Sequence, residues 1–137
     1  MIKESIFAGN LKKMKDSIFI SYAREDIASA NELYDFLKSK GFAPWMDKKN
    51  LRAGEKWDAA IMTALKKADY IILLLSTMSL GKRGYIQREF KLALEYCKEK
   101  LKTDIYLIPC KIDDCEIPQE LSEFQWVDLR EPDAFNP

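Results

Sequence analysis

Residues Tyr70-Ile71-Ile72-Leu73-Leu74-Leu75 are continuously apolar and end at Ser76, and this run constrains the fold more than any other part of the chain. Six residues are too few for a core helix, and an unbroken apolar string without alternation is the pattern of a parallel strand covered on both faces. A strand of that kind needs neighbours on both sides and helices above and below. Shorter runs supply the neighbours. Ser17 to Tyr22 is rich in β-formers, Phe42-Ala43-Pro44-Trp45 is a second strand whose Pro44 lacks a ladder donor and so belongs at a sheet edge, Asp104 to Ile112 is a fourth, and Phe124 to Leu129 a fifth with alternating sides.

Helical patterns lie between these strands. Ile27, Ala30, Leu33 and Leu37 recur every three or four residues, with Glu25 and Asp26 as negative charge at the first turn and Gly41 as a stop. Trp57, Ile61, Leu65 and Ala68 mark a second helix, and Ile86, Phe90, Ala93, Leu94 and Cys97 a third. A short helix is expected after Pro118, over Ile117 to Ser122. Strands alternating with helices predict right-handed crossovers and an α/β, flavodoxin-like fold: a five-stranded parallel sheet in the order 2-1-3-4-5 with helices on both faces. The organisation read from the chain is a leader or linker over 1–15, one domain over 16–130 and a polar tail over 131–137. The length suits a single domain with its own core.

Composition narrows the chemistry. The chain has no histidine, which removes Ser-His-Asp and Cys-His nucleophile pairs, histidine zinc sites and phosphohistidine relays together. No metal site or bound cofactor is expected. Twenty-two basic residues balance 22 acidic ones, so nothing pulls the molecule as a whole toward nucleic acid. No apolar stretch reaches the length of a membrane span and no export signal is seen, so a cytoplasmic protein with no membrane partner is expected. Cys97, Cys110 and Cys115 form an odd set without a C-x-x-C pair and read as reduced, structural thiols. Tyr106 and Trp126 are assigned to the core.

Parallel sheets of this type bind ligands beyond the carboxyl ends of their strands, where strand order reverses. That rim collects Tyr22 to Asp26, Trp45 to Lys56 and Ser76 to Glu89. Arg24 can meet a phosphate with its guanidinium fork, or pair with Glu25 and Asp26 while those two cap the helix. Asp47 opens a polar stretch reaching Lys56 that exceeds the usual connection length, and Gly54 gives it a position for positive φ, so it is either a lid or a plain connection. Glu89 lies one helical turn after Tyr85, which sets a carboxylate beside an aromatic ring, or leaves a solvated charge next to a ring that covers the sheet. Gly81-Lys82-Arg83-Gly84 matches neither glycine-rich nucleotide-binding pattern.

Phe19-Ile20-Ser21-Tyr22-Ala23-Arg24-Glu25-Asp26, followed by Trp45-Met46-Asp47 and Leu51-Arg52-Ala53-Gly54-Glu55, resembles the first two boxes of Toll/interleukin receptor (TIR) domains, of the bacterial NAD-cleaving type. The likeness runs from about Asp16 to Leu129, and Phe124-Gln125-Trp126 stands loosely where the family has its third box. The resemblance implies either an enzyme that cleaves the nicotinamide-ribose bond of NAD+ or a non-catalytic scaffold for homotypic signalling contacts. In the enzymatic case Glu89, in Gly84-Tyr85-Ile86-Gln87-Arg88-Glu89, stands at the catalytic position, and Tyr85 where enzymatic relatives often carry tryptophan. Tyr22, Arg24, Asp47, Gly54 and Trp57 are then the implied substrate-binding residues, with NAD+ the substrate and no separate cofactor. The likeness further implies assembly with other TIR domains, activity that rises on self-association, a regulatory portion elsewhere, and a role in bacterial antiviral defence. A response-regulator receiver shares the architecture, but its third strand would end in aspartate where this chain has Ser76. A nucleoside deoxyribosyltransferase would leave both boxes unexplained.

Overall fold

The computed structural model describes residues 16–50, 53–54, 56–80, 95 and 106–131. The expected third helix, with Tyr85, Glu89 and Cys97, and the leader over 1–15 lie outside the described residues. Strands β1 (Ser17–Ser21), β2 (Ala43–Trp45), β3 (Tyr70–Leu75), β4 (Tyr106–Lys111) and β5 (Val127–Asp128) form a parallel sheet in the order β2-β1-β3-β4-β5, as expected. All carboxyl ends therefore share one rim.

Every residue of β3 is buried, and its register explains why no polar residue is tolerated there. It pairs with β1 through Ile18↔Tyr70 to Ser21↔Leu73 and with β4 through Tyr70↔Tyr106 to Leu75↔Lys111. Alternate side chains then enter separate cores. Ile18, Ile20, Ile72, Leu74 and Ile108 meet Ala30, Leu33, Tyr34 and Leu37 of α1 (Ile27–Ser39) on one face. Phe19, Ile71, Leu73, Leu75 and Leu107 meet Ile61, Leu65 and the adjoining Ala68 at α3 (Trp57–Lys67) on the other. Each such aliphatic side chain contributes roughly 1.5–3 kcal/mol when removed from water.

Helix α1 ends where Gly41 takes φ 92°, the left-handed stop that glycine adopts without steric cost. Pro44 sits on the edge strand, where its missing donor breaks no ladder bond. Two expectations need correction, and one helix is added. The stretch from Asp47 is not all loop, since Asp47–Asn50 forms a helical turn, α2, in which the Asn50 Oδ1 accepts the Met46 amide (3.0 Å). A further short helix, α4 (Thr77–Leu80), follows β3 directly. The fifth strand is only two residues long, so Trp126 falls outside it and is 47% exposed, with the Lys111 Nζ 4.9 Å from its ring centroid instead of core neighbours. The short helix after Pro118 is present as a 3₁₀ turn over Gln119–Leu121. No helix among the described residues is long and apolar enough to cross a membrane.

Candidate functional site

The rim is built from the segments that leave β1, β2, β3 and β4. After β1 the chain passes through Tyr22 and Ala23 into a 3₁₀ turn, Arg24–Asp26, before α1. Tyr22 belongs with Ile18 and Ile20 on the α1 face, and it is nearly buried. Its hydroxyl escapes the core by donating to the Asp47 Oδ1 at the start of α2, so residues from two separate sequence boxes meet here. The same Oδ1 accepts the Lys48 amide (2.7 Å), which fixes the carboxylate against the turn it opens. The pair lines a half-open cavity of about 10 Å³ together with Phe19, Ser21, Trp45 and Ile61. That is the size of one water. The Ser21 hydroxyl is buried beside it, with no hydrogen-bond partner among the described residues.

Arg24 is exposed, and no ion pair joins it to Glu25 or Asp26 among the described residues. Asp26 occupies the N-cap position of α1, but its side chain makes no capping hydrogen bond. Its side chain turns inward, where the Oδ2 accepts the Ser76 hydroxyl (2.6 Å) at the end of β3. The reading of Glu25 and Asp26 as caps that hold Arg24 is thereby corrected, and Arg24 stands on the surface of the rim. Gly54 has φ 88° with open space around its α-carbon, as the polar stretch requires. Trp57 opens α3.

The β3 and β4 ends form a second polar cluster. Ser76 and Ser79 cap α4 reciprocally: the Ser79 amide donates to the Ser76 Oγ (2.9 Å) and the Ser76 amide to the Ser79 Oγ (2.8 Å). Asp113, just past β4, accepts the Thr77 amide (3.0 Å) and the Cys115 amide (2.9 Å). Burial raises the Asp26 pKa, against the Ser76 hydroxyl, which lowers it, and the negative charges of Asp113 and Glu25 add to the rise. Burial also acts on Asp113, but the donors from Thr77 and Cys115 outweigh it and hold that carboxyl below its ordinary value. The Cys115 thiol is pushed up to about 11 by burial and by Asp113, and burial raises that of Cys110 as well, so neither is an activated nucleophile.

The structure thus joins Tyr22 to Asp47 and sets Arg24 on the same rim, while Tyr85 and Glu89 lie outside the described residues. The sequence places Ser76 and Ser79 on the rim without revealing their bonding roles, and it does not single out Asp113. A serine pair three apart directly after the apolar run was the available signal for the first two.

The family model for the TIR domain matches residues 18–136. No curated protein matches. Among solved structures, the TIR domain of the Toll-related receptor TRR-2 from Hydra magnipapillata is similar at 21% identity, covering 85% of this chain and 86% of that one, with a TM-score of 0.68. A TIR-STING receptor from C. gigas, in complex with 2',3'-cGAMP, has 22% identity over 82% of this chain and 34% of its own, with a TM-score of 0.68. The TIR domains of the activated Roq1 resistosome, which recognises the pathogen effector XopQ, have 23% identity over 72% of this chain and 58% of theirs, with a TM-score of 0.55. At these identities the likeness is one of fold.

Proposed function

The chain belongs to the TIR domain family, and on that footing we propose that it is an NAD+ nucleosidase, cleaving the nicotinamide-ribose N-glycosidic bond when copies self-associate. The observation that carries the reading is the Tyr22–Asp47 hydrogen bond, which brings together, at the carboxyl end of the sheet, two residues that the family resemblance assigns to the nucleotide pocket.

The chemistry suits a chain without histidine. Nicotinamide in NAD+ is cationic and departs neutral, so no acid is required to protonate it. The bond breaks through a transition state with oxocarbenium character at the ribose, which a fixed carboxylate stabilises electrostatically. Glu89 takes that part, and an ordinary glutamate, with a pKa of about 4.3, is ionised at neutral pH. Tyr85 orients the nicotinamide ring, Arg24 meets a phosphate, and Asp47 with Tyr22 anchors the polar stretch that closes over the nucleotide through the bend at Gly54. Trp57 borders the same pocket. Water gives ADP-ribose, while capture by the nucleotide's own adenine or ribose gives a cyclic product.

The test is incubation of artificially clustered protein with NAD+, with products identified by mass. Release of nicotinamide that disappears in a folded Glu89→Ala variant supports the enzyme. Absence of release under clustering overturns it and leaves a scaffold for homotypic contacts.

A further inference from the structure

A second concavity starts at the rim, at Trp45 and Asn50, and runs along the edge of the sheet to Ser17 and Lys67. Its volume is about 300 Å³, at the lower end of the range of small-molecule pockets. One wall is the α3 stripe Ala60, Thr63, Ala64 and Lys67, spaced by three, four and seven residues and set beside the core stripe Ile61, Leu65 and Ala68. The other wall is Trp45, on the edge strand, with Ser17 and Asn50 completing the lining. Trp45 stacks on Phe19 with centroids 5.1 Å apart and planes 13° from parallel, so its indole is held in one orientation by the core. Two alanines leave room where larger residues would fill the space. Among the described lining residues the one charge is the exposed Lys67 and there is no carboxylate; Asp69, at the same end of the sheet, accepts the Ser17 amide (2.9 Å).

We propose that this groove binds a small planar aromatic anion, its ring against the Trp45 indole and the two alanines and its negative group toward Lys67. A flat ring fits a slot with one aromatic and one small-residue wall, and offset stacking extends the Phe19–Trp45 pair. The ammonium supplies charge complementarity, and the Thr63 and Ser17 hydroxyls with the Asn50 carboxamide supply the few polar groups that orient a ligand. Trp45 also walls the small cavity at Tyr22 and Asp47, and Asn50 ends the turn that Asp47 begins, so occupancy is communicated to the rim. The proposal does not depend on NAD+ cleavage.

The test is a titration of the full chain with 2-naphthoate, followed by amide and indole NMR signals, with 2-naphthylmethanol as the uncharged control. Saturable shifts are expected at the Trp45 indole and at Thr63, Ala64 and Lys67, with smaller ones at Asp47. Lys67→Met, an exposed position that leaves the core intact, should weaken naphthoate binding by about fivefold, the scale of an exposed charge pair, and leave the alcohol unaffected. Ala64→Leu should abolish binding of both. No saturable shift, equal affinity of acid and alcohol in the unaltered chain, or binding that survives both substitutions would overturn the proposal. Shifts of the same signals on raising protein concentration without ligand would overturn it too, by giving the groove to a second copy of the chain.

Discussion

The two halves of the carboxyl rim are held in opposite ways. On the β1–β2 side, a hydrogen bond joins Tyr22 to Asp47 at the boundary with solvent, where both line a half-open cavity that fits about one water. On the β3–β4 side, Asp26, Ser76 and Ser79 form a buried, mutually satisfied cluster, and Asp113 pins the start of α4 from outside. The first can release its partner to water at small cost. The second cannot, because each group it loses leaves another unsatisfied in a low-dielectric setting. A rim with one adaptable side and one locked side is compatible with the proposed nucleotide site, since the strand ends of the locked side stay in place.

The contrast is broken most directly at Ser76. Ser76→Ala removes the hydroxyl donor of the buried Asp26 and a cap of α4, and should cost about 2–3 kcal/mol in urea unfolding at neutral pH. A loss near zero would mean that the β3–β4 half is not locked. Tyr22→Phe on the other half should cost about 1 kcal/mol, since water replaces the phenol at Asp47. Under clustering its effect on NAD+ turnover should exceed its effect on stability, and equal effects would remove the special standing of this pair. Gly54→Ala meets no neighbour but must adopt φ 88°, so a loss of about 1 kcal/mol is expected from backbone strain alone, read by thermal unfolding.

The finest distinction is in pH dependence. Asp26 has a raised pKa in the folded state, so its contribution is fully present below the unfolded value of about 3.9 and is lost as pH rises through the folded value. Asp113 is lowered, so its contribution is present above about 3.9 and is lost as pH falls through its folded value. Asp26→Asn should therefore gain on the unaltered chain as pH rises above about 4, seen as a widening gap in melting temperature. A gap independent of pH would show that the Asp26 carboxyl is not perturbed by its burial.

Much of the fold could be read before the structure because its strongest constraints are local. The β3 run has one physical solution, Pro44 has one tolerable place in a sheet, and Gly41 and Gly54 stand where positive φ is needed. What escaped depends on distant partners. Glu25-Asp26 before an apolar stripe has the form of a helix cap, and nothing nearby reveals that Asp26 turns to a serine fifty residues on. Asp47-Lys48-Lys49-Asn50 lacks apolar periodicity, so its helical turn was hidden, although Asn50 bonding back to Met46 is a local device. The aromatic character of Trp126 points to the core, but a two-residue strand is too short to carry it inside. At the candidate site, the sequence boxes singled out Tyr22 and Asp47 separately, and only the topology brings them into contact.

The proposed NAD+ cleavage stands or falls on mass-resolved detection of nicotinamide from NAD+ incubated with the protein held at high local density, alongside Glu89→Ala and Glu89→Gln variants of unchanged melting temperature. Turnover should rise with density and vanish in both variants. Turnover that persists without the Glu89 carboxylate, or none at any density, would contradict it.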